Sequence, residues 1–483
     1  MLDSRTATHN HRHDQNRYAV IPTAEKLGVD VRLSGRGIRI AILDSGFYPH
    51  PDFSDRVVAF HDISGEEKYL RNHQAPTAHH WHGTQTAAVC AGNGSFSSGI
   101  YRGLAYRSEL VLVKVSGQGR ISDDKIAAGL EWVLANRERY AIRIANLSLG
   151  GDTDQITSES RINLLIEKLT DNGVVVTVAA GNSVELSSLP PASSPAAITV
   201  GGYSDENRLG NENFDLYHSS HGVTKDGLIK PDLIAPAMFV AAPILPCTLD
   251  YEIAEVLSLL SEAPDYSLRN LLEEFWQVAG LDEDVVSQSN DLIRGIVAKA
   301  LYDRKIVSAH YQHVDGTSFA APITASVIAQ MLEANPELSP AGIKNILYST
   351  ASRLSGHPAI RQGFGILNAK AAVEIAGRET HVLSAADLDL PRVVGNSIMF
   401  SFHDDSAKTV HLVGDFNGWR THETAFQPDE SGIWRAAIPC QPPGKYRYKI
   451  LIDGERWTED PSHARKEEDG FGGFNSILVT DAG

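Results

Sequence analysis

Four side chains in this sequence are of the types that carry out acyl transfer: a carboxylate at Asp44, an imidazole at His82, an amide at Asn182 and a hydroxyl at Ser318. A hydroxyl becomes a nucleophile when an imidazole takes its proton. A carboxylate can hold that imidazole's tautomer, and an amide can stabilise the oxyanion that follows. Taken singly, each residue has an ordinary explanation. Asp44-Ser45-Gly46 resembles the tight turn that often ends a strand, and Asn182 after Ala180-Gly181 resembles a turn asparagine. A lone histidine is commonly structural, and Ser318 stands where a helix N-cap serine would. His79 and His80 raise metal binding as another reading of His82, but no paired cysteine or carboxylate motif accompanies them, so zinc is not expected.

The elements that would position these groups follow from apolar patterning. Ile38–Leu43, Leu110–Val115, Ile142–Leu149, Val174–Ala179 and Ala197–Val200 read as strands. Several are apolar at successive positions, so both faces are covered, as in a parallel sheet flanked by helices. Helices are expected at His82–Gly92, at Ser122–Asn136 with Asp123 and Asp124 at its positive end, at about Ile162–Asn172, and from Gly316 to about Ala334. Ser339-Pro340 supplies an N-cap and first-turn proline for another helix, ending near Ser355-Gly356. The fold class is α/β, a doubly wound, mostly parallel sheet. Its strand carboxyl ends are where open α/β sheets gather their sites, and there Asp44 and Asn182 fall, with His82 and Ser318 at helix starts.

Composition bounds the alternatives. The 483 residues, 42% hydrophobic and 21% charged, suffice for one large core and a second, smaller domain. A formal net charge of −17 disfavours nucleic acid or an anionic membrane as the main partner. Cys90, Cys247 and Cys440 lie far apart, so no disulfide framework is expected. The first residues hold no apolar run of the secretory kind and no later stretch is long enough to span a bilayer, so the expected location is cytoplasmic. Residues 243–313 turn leucine- and acid-rich and read as a helical insertion, with Leu257–Leu260, Leu271–Phe275 and Leu292–Leu301 as its apolar stretches. Residues 378–396 read as a linker. Ser397–Thr480 alternates in the β manner with turns at Asn417-Gly418, Pro443-Gly444 and Asp453-Gly454, so residues 397–483 are expected to form a small antiparallel sandwich.

The order Asp, His, Ser is that of the subtilisin triad. The segments Ile40–His50, His82–Gly92, Asn146–Gly151, Ala179–Asn182, Lys230–Pro236 and Gly316–Pro322 together resemble the subtilisin-like serine protease family over residues 18–377 outside the insertion. The resemblance implies that Ser318 attacks the peptide carbonyl, His82 relays the proton, Asp44 orients His82, and Asn182 with the Ser318 amide forms the oxyanion hole. It assigns Ser148, Leu149, Gly150, Ala179, Ala180 and Gly181 to the walls of the specificity pocket. Ser116, Gly117 and Gly119 match the edge strand that binds extended polypeptide substrate. Asp52 matches a calcium-ligating position and Asn93–Gly103 the companion loop, so calcium is a candidate structural ion, with a solvated carboxylate as the other reading; the chemistry itself needs no cofactor. Relatives that are secreted carry a long prodomain, whereas here only residues 1–17 precede the resemblance as a short leader, which is similar to the intracellular branch. The insertion is expected to be either a lid on the cleft or a surface embellishment, and Cys90 a small core residue.

Val410–Trp419, Tyr446–Lys449, Asp453–Pro461 and Asn475 resemble the glycogen-binding module of AMP-activated kinase β subunits and branching enzymes. The resemblance implies sugar contacts at Trp419, Lys449, Trp457 and Asn475, with an α-glucan such as glycogen as partner. The combined expectation is an intracellular endopeptidase tethered to glycogen. Two alternatives stay open on the sequence: a non-cleaving glycogen-associated scaffold, and a dedicated precursor-processing peptidase whose β module binds protein.

Overall fold

The computed structural model describes residues 20–480 apart from 30–31, 71–74, 118–119, 152, 185–187, 211–213, 380–390, 430–431 and 464. The leader, including its histidines, and most of the expected linker therefore lie outside the described residues.

The first unit is built on β1 (Arg39–Asp44), β2 (Val57–Asp62), α1 (Trp81–Ala91), β3 (Glu109–Lys114), α2 (Asp123–Asn136), β4 (Ile142–Leu147), α3 (Arg161–Asp171), β5 (Val175–Ala179), β6 (Ile198–Ser204) and β7 (Leu233–Pro236). These strands form one sheet in the order β7-β6-β5-β4-β1-β3-β2, all parallel, with the short strand Asp215–Leu216 antiparallel on β6. Side chains of a strand alternate between faces, and β1 feeds two cores accordingly. Ile40 and Ile42 pack beneath α1, and Ala41 and Leu43 pack against α2 and α3. The register Ile42↔Leu112 and Asp44↔Lys114 sets Asp44 at the carboxyl edge of the middle of the sheet.

The helical insertion leaves from β8 (Val240–Pro243). It comprises α4 (Leu249–Glu262), α5 (Asp265–Phe275) and α6 (Asn290–Asp303), and returns through β9 (Ile306–Ser308) and β10 (Tyr311–Val314). β8, β10 and β9 pair antiparallel. The three helices bury Leu257, Leu260, Leu268, Leu272, Ile293 and Val297 in a core separate from the sheet's two. Thr248 and Ser289 cap α4 and α6 with their hydroxyls.

Beyond β10 come α7 (Thr317–Ala334), α8 (Pro340–Thr350) and α9 (Ala369–Ala376). Ser339 caps α8 as expected, its hydroxyl accepting from the Gly342 amide. The helix stops at Thr350, short of the expected Ser355-Gly356. Ala351 leaves with extended backbone, and Ser352 exchanges backbone hydrogen bonds with Ile366. That strand-like pairing outcompetes another helical turn.

The second unit is an antiparallel two-sheet domain. One sheet holds β11 (Arg392–Val394), β12 (Ser397–Phe402) and β14 (Trp434–Pro439), with the short strand Gln427–Pro428 paired on β14, and the other β13 (Val410–Gly414), β15 (Gly444–Ile452), β16 (Arg456–Thr458), β17 (Lys466–Glu468) and β18 (Phe474–Thr480). Phe400, Phe402, Leu412, Tyr448 and Ile450 fill the space between the sheets. Asp453 and Gly454 both have positive φ in the expected turn. The unit docks where β6 and β7 begin, opposite the strand carboxyl ends. Arg353 ion-pairs with Glu459, Lys466 lies over the Phe364 ring, and Leu228 bridges Arg465. No helix among the described residues is long and apolar enough to cross a membrane.

Candidate active site

β1 ends on Asp44, which is 1% exposed. A buried carboxylate must find donors, and this one has four. Oδ1 accepts from the Ser45 amide at 2.6 Å and hydroxyl at 3.2 Å and lies 2.8 Å from His82 Nδ1, while Oδ2 accepts from the Thr86 hydroxyl at 3.0 Å. Thr86 is four residues after His82, hence on the same helix face. Gly83 makes this approach feasible, since a Cβ there would lie 2.2 Å from the Gly46 carbonyl oxygen and 3.0 Å from Asp44 Cβ. Burial opposes the His82 imidazolium, but the Asp44 charge and hydrogen bond outweigh it, so the His82 pKa is raised. With Nδ1 committed to Asp44, Nε2 is the nitrogen left for proton transfer.

Ser318 is the second residue of α7, and the Phe319 ring lies 6.0 Å from the His82 ring. The Ser318 hydroxyl points to the Ser148 carbonyl at 3.4 Å. Pro322 lacks the N–H that would ordinarily bond the Ser318 carbonyl four residues back. The Ser148 hydroxyl donates to that carbonyl instead, at 2.7 Å, which joins the end of β4 to the start of α7. Asn182 follows β5. Its Oδ1 accepts from the Thr317 amide and hydroxyl, both at 2.9 Å. Because the oxygen must face these donors, the NH2 group faces away from them. The Thr317 hydroxyl also accepts from the Gly181 amide at 3.1 Å. Gly181 has φ +102°, and a Cβ there would lie 2.6 Å from Ser220 Oγ.

The expected substrate walls fall beside this cluster. Leu149, Ala179 and Ala180 are buried, and a Cβ on Gly150 would meet nothing within 4 Å. Ser116-Gly117 pairs with Arg120-Ile121, so one edge of that short strand is taken by the chain itself. The Ser116 hydroxyl donates to the Ser45 carbonyl. Gly119 lies outside the described residues. Sequence reasoning missed Thr86, Thr317 and the Ser148 to Ser318 link. Their signal was adjacency: one turn after His82, one residue before Ser318, and opposite a helix proline. It also missed Trp81, whose ring meets His82 edge-on at 5.3 Å. Trp81 and Gln85 share a cavity of about 350 Å³ with Ile244, Leu245, Thr248 and Gln312 of the insertion's first segment and return strand. Gln85 donates to the Pro243 carbonyl at 3.0 Å, so the insertion borders the His82 helix.

Three other expected groups have structural explanations in their surroundings. Both Asp52 oxygens accept from the Tyr311 hydroxyl, at 3.1 and 3.0 Å, and Oδ1 from the Ser95 amide at 2.9 Å. Burial, opposed by these bonds, pushes the Asp52 carboxyl up to about 6. These bonds form a strut that fastens β10 to the first unit. His80 Nδ1 accepts from the Thr77 amide at 3.0 Å. Cys90 is buried and its thiol is pushed up to about 12 by burial, as suits an inert core residue. Among the described residues, one group of three metal-capable side chains converges, Glu379, His403 and Asp405. Two of them, His403 and Glu379, are already a hydrogen-bonded pair at 2.6 Å.

In the second unit Trp419, Lys449, Trp457 and Asn475 line one cavity of about 820 Å³. Trp419 holds φ +60°, a conformation bulky residues rarely adopt. Its ring is fixed by Nε1 donating to Asp415 Oδ1 at 2.9 Å. Lys449 pairs with Asp469, whose Oδ1 accepts from the Phe471 and Gly473 amides. That loop carries Phe471, which is 96% exposed at the mouth of the cavity.

Comparison with known proteins agrees with both halves. Residues 35–366 match the family model of the subtilase family, and residues 388–467 that of carbohydrate-binding module 48, the isoamylase N-terminal domain. The chain is 30% identical over 352 residues to serine protease AprX of Bacillus subtilis (strain 168), over 71% of this chain and 67% of that protein. It is 27% identical over 341 residues to subtilisin BL of Lederbergia lenta, over 70% of this chain and 92% of that one. The structure of fervidolysin from Fervidobacterium pennivorans superposes with a TM-score of 0.51 at 21% identity, over 89% of this chain and 55% of that one, a likeness of fold alone. The chain belongs to the subtilase family, as a subtilisin-like serine endopeptidase that also carries a carbohydrate-binding module.

Proposed function

We propose that Ser318 is the nucleophile of peptide-bond hydrolysis, with His82 as general base and acid and Asp44 as its orienting carboxylate. The Ser318 hydroxyl turns from the Ser148 carbonyl toward His82 Nε2, loses its proton there and bonds to the scissile carbonyl carbon. The resulting oxyanion accepts from the Asn182 NH2 group and the Ser318 amide. His82 then returns the proton to the leaving amine as the C–N bond breaks, and water repeats the sequence to release the acid from the acyl-enzyme. The observation that carries this reading is the 2.8 Å contact between His82 Nδ1 and the buried, fully donated Asp44 carboxylate. Digestion of a diverse peptide library by wild type and Ser318→Ala tests it. In subtilisin the corresponding loss is on the order of 10⁶-fold in turnover. Cleavage by Ser318→Ala at an undiminished rate would refute the assignment.

We propose further that the module holds an α-glucan such as glycogen and that the enzyme works tethered to it in the cytoplasm. The Trp419 ring, held by Asp415, and Trp457 in the same cavity offer flat apolar faces to pyranose rings, and the module docks at the strand amino ends, so the catalytic cleft faces away from the tether. Cys90, Cys247 and Cys440 are all unpaired, in keeping with a reducing compartment. Tethering raises the local concentration of enzyme near proteins stored with the polymer. Co-sedimentation with glycogen, lost in Trp419→Ala and Trp457→Ala, is the expected outcome, and pelleting that both variants retain counts against the sugar reading.

A further inference from the structure

The cavity that holds the four expected sugar-contacting residues is not enclosed by the module alone. At about 820 Å³ it falls in the upper part of the size range of ligand clefts. Its far wall comes from the peptidase unit: Ser349 at the end of α8, Ala351 and Arg353 just beyond, and Phe364. We propose that the glucan seat is a composite site, in which a maltooligosaccharide stretch lies between the module's tryptophans and this wall of the peptidase unit. The inference rests on the sugar reading above and goes beyond it, because it makes residues outside the module determinants of glucan affinity.

The wall is anchored, not loosely apposed. Arg353 Nε donates to the Gly363 carbonyl at 2.6 Å, its Nη groups pair with Glu459, and its guanidinium lies 5.0 Å from the Phe474 ring centre. Glu459, two residues after Trp457, is 4% exposed, so the pair that docks the two units also floors the cavity. Phe364 is held on the same seam, with the Lys466 ammonium 3.4 Å from its ring centre and its amide donating to the Asp232 carbonyl at 2.7 Å. α8 stops at Thr350 because Ser352 pairs with Ile366, and that early stop is what turns Ala351 and Arg353 toward the module. A ligand that touches both walls binds the docked arrangement alone, so it also strengthens docking.

The test uses the full chain and maltoheptaose. Ala351→Trp fills the peptidase wall without altering any module residue, and Ala351→Ser is its size control. Calorimetric titration is expected to show at least tenfold weaker binding for Ala351→Trp and binding within twofold of wild type for Ala351→Ser. Wild-type affinity in Ala351→Trp, with affinity lost in Trp419→Ala, would overturn the composite seat while leaving the sugar reading intact. Absence of maltoheptaose binding by wild type would end both. Hydrogen exchange on the wild-type protein gives a readout that does not depend on how well the Trp variant folds. Maltoheptaose is expected to slow exchange in residues 349–353 and near Phe364 as well as around Trp457, and protection confined to the module overturns the proposal.

Discussion

Gly83→Ala is the most informative small change in the catalytic unit. The methyl group it adds would sit 2.2 Å from the Gly46 carbonyl oxygen and 3.0 Å from both Asp44 Cβ and a ring carbon of Phe47, whereas ordinary contact begins at 3.4 Å. The obstacle at 2.2 Å is backbone, which cannot swing aside, so the start of α1 must part from the Asp44–Gly46 turn by roughly 1 Å. His82 sits one residue earlier on that helix start, and its 2.8 Å contact with Asp44 lengthens accordingly. Misplacement of about 1 Å in a catalytic constellation costs on the order of 10²-fold, so kcat/KM on a chromogenic peptide should fall by about that factor. Overpacking should also destabilise by about 1–3 kcal/mol. Gly295→Ala, in α6 with nothing within 4 Å of the new methyl, supplies the opposite control, a helix gain of about 0.8–1 kcal/mol with unchanged kcat. The assay is steady-state kinetics alongside thermal melting. A Gly83→Ala protein with wild-type kcat/KM would refute the claim that this close approach sets the His82 to Asp44 geometry.

Other consequences follow from the same contacts. Because catalysis needs neutral His82 and the Asp44 charge raises its pKa, the acid limb of the kcat/KM profile should lie above the unperturbed imidazole value of about 6.5. Asp44→Asn should move that limb down and lower kcat by about 10⁴-fold, which a pH–rate series measures. Thr317→Val removes one of the two donors that orient Asn182 and should lower kcat about tenfold with little change in KM. At the domain seam, Arg353→Ala leaves the buried Glu459 with Lys466 as its remaining charge partner and should cost about 3 kcal/mol. Burial would raise the Glu459 pKa, but Lys466 and Arg353 hold it below its usual value. Its contribution is therefore present above the ordinary glutamate pKa and is lost as pH falls through the depressed one. Melting curves of the wild type and Arg353→Ala should thus differ at neutral pH and converge in acid.

The parts of this protein that were legible in its sequence are those fixed by local pattern. The apolar run ending at Asp44 had to be a buried strand, and the parallel sheet makes its carboxyl end a site. Ser339-Pro340 announced a helix start that the Ser339 hydroxyl duly caps. The helix end at Thr350 was not legible, because it depends on Ser352 meeting Ile366 from another segment. Thr86 and Thr317 escaped notice for a different reason. A threonine has no distinctive spacing, and its role appears only when the Asp44 carboxylate or the Asn182 amide is in place to receive its hydroxyl. Pro322 could be seen, but not that the carbonyl it frees would be bonded by Ser148. The Tyr311 to Asp52 contact ties the insertion's return strand to a residue far upstream, and no local signal announces such a strut. The seam between the units likewise joins Arg353 to Glu459 and Phe364 to Lys466 across a linker.

Covalent labelling with a fluorophosphonate, followed by peptide mapping, tests the nucleophile most directly. The label should be found on the peptide containing Ser318, should vanish in Ser318→Ala, and should be much slower to form in His82→Ala. Recovery of the label on a different serine, or equal labelling of Ser318→Ala, would contradict the account.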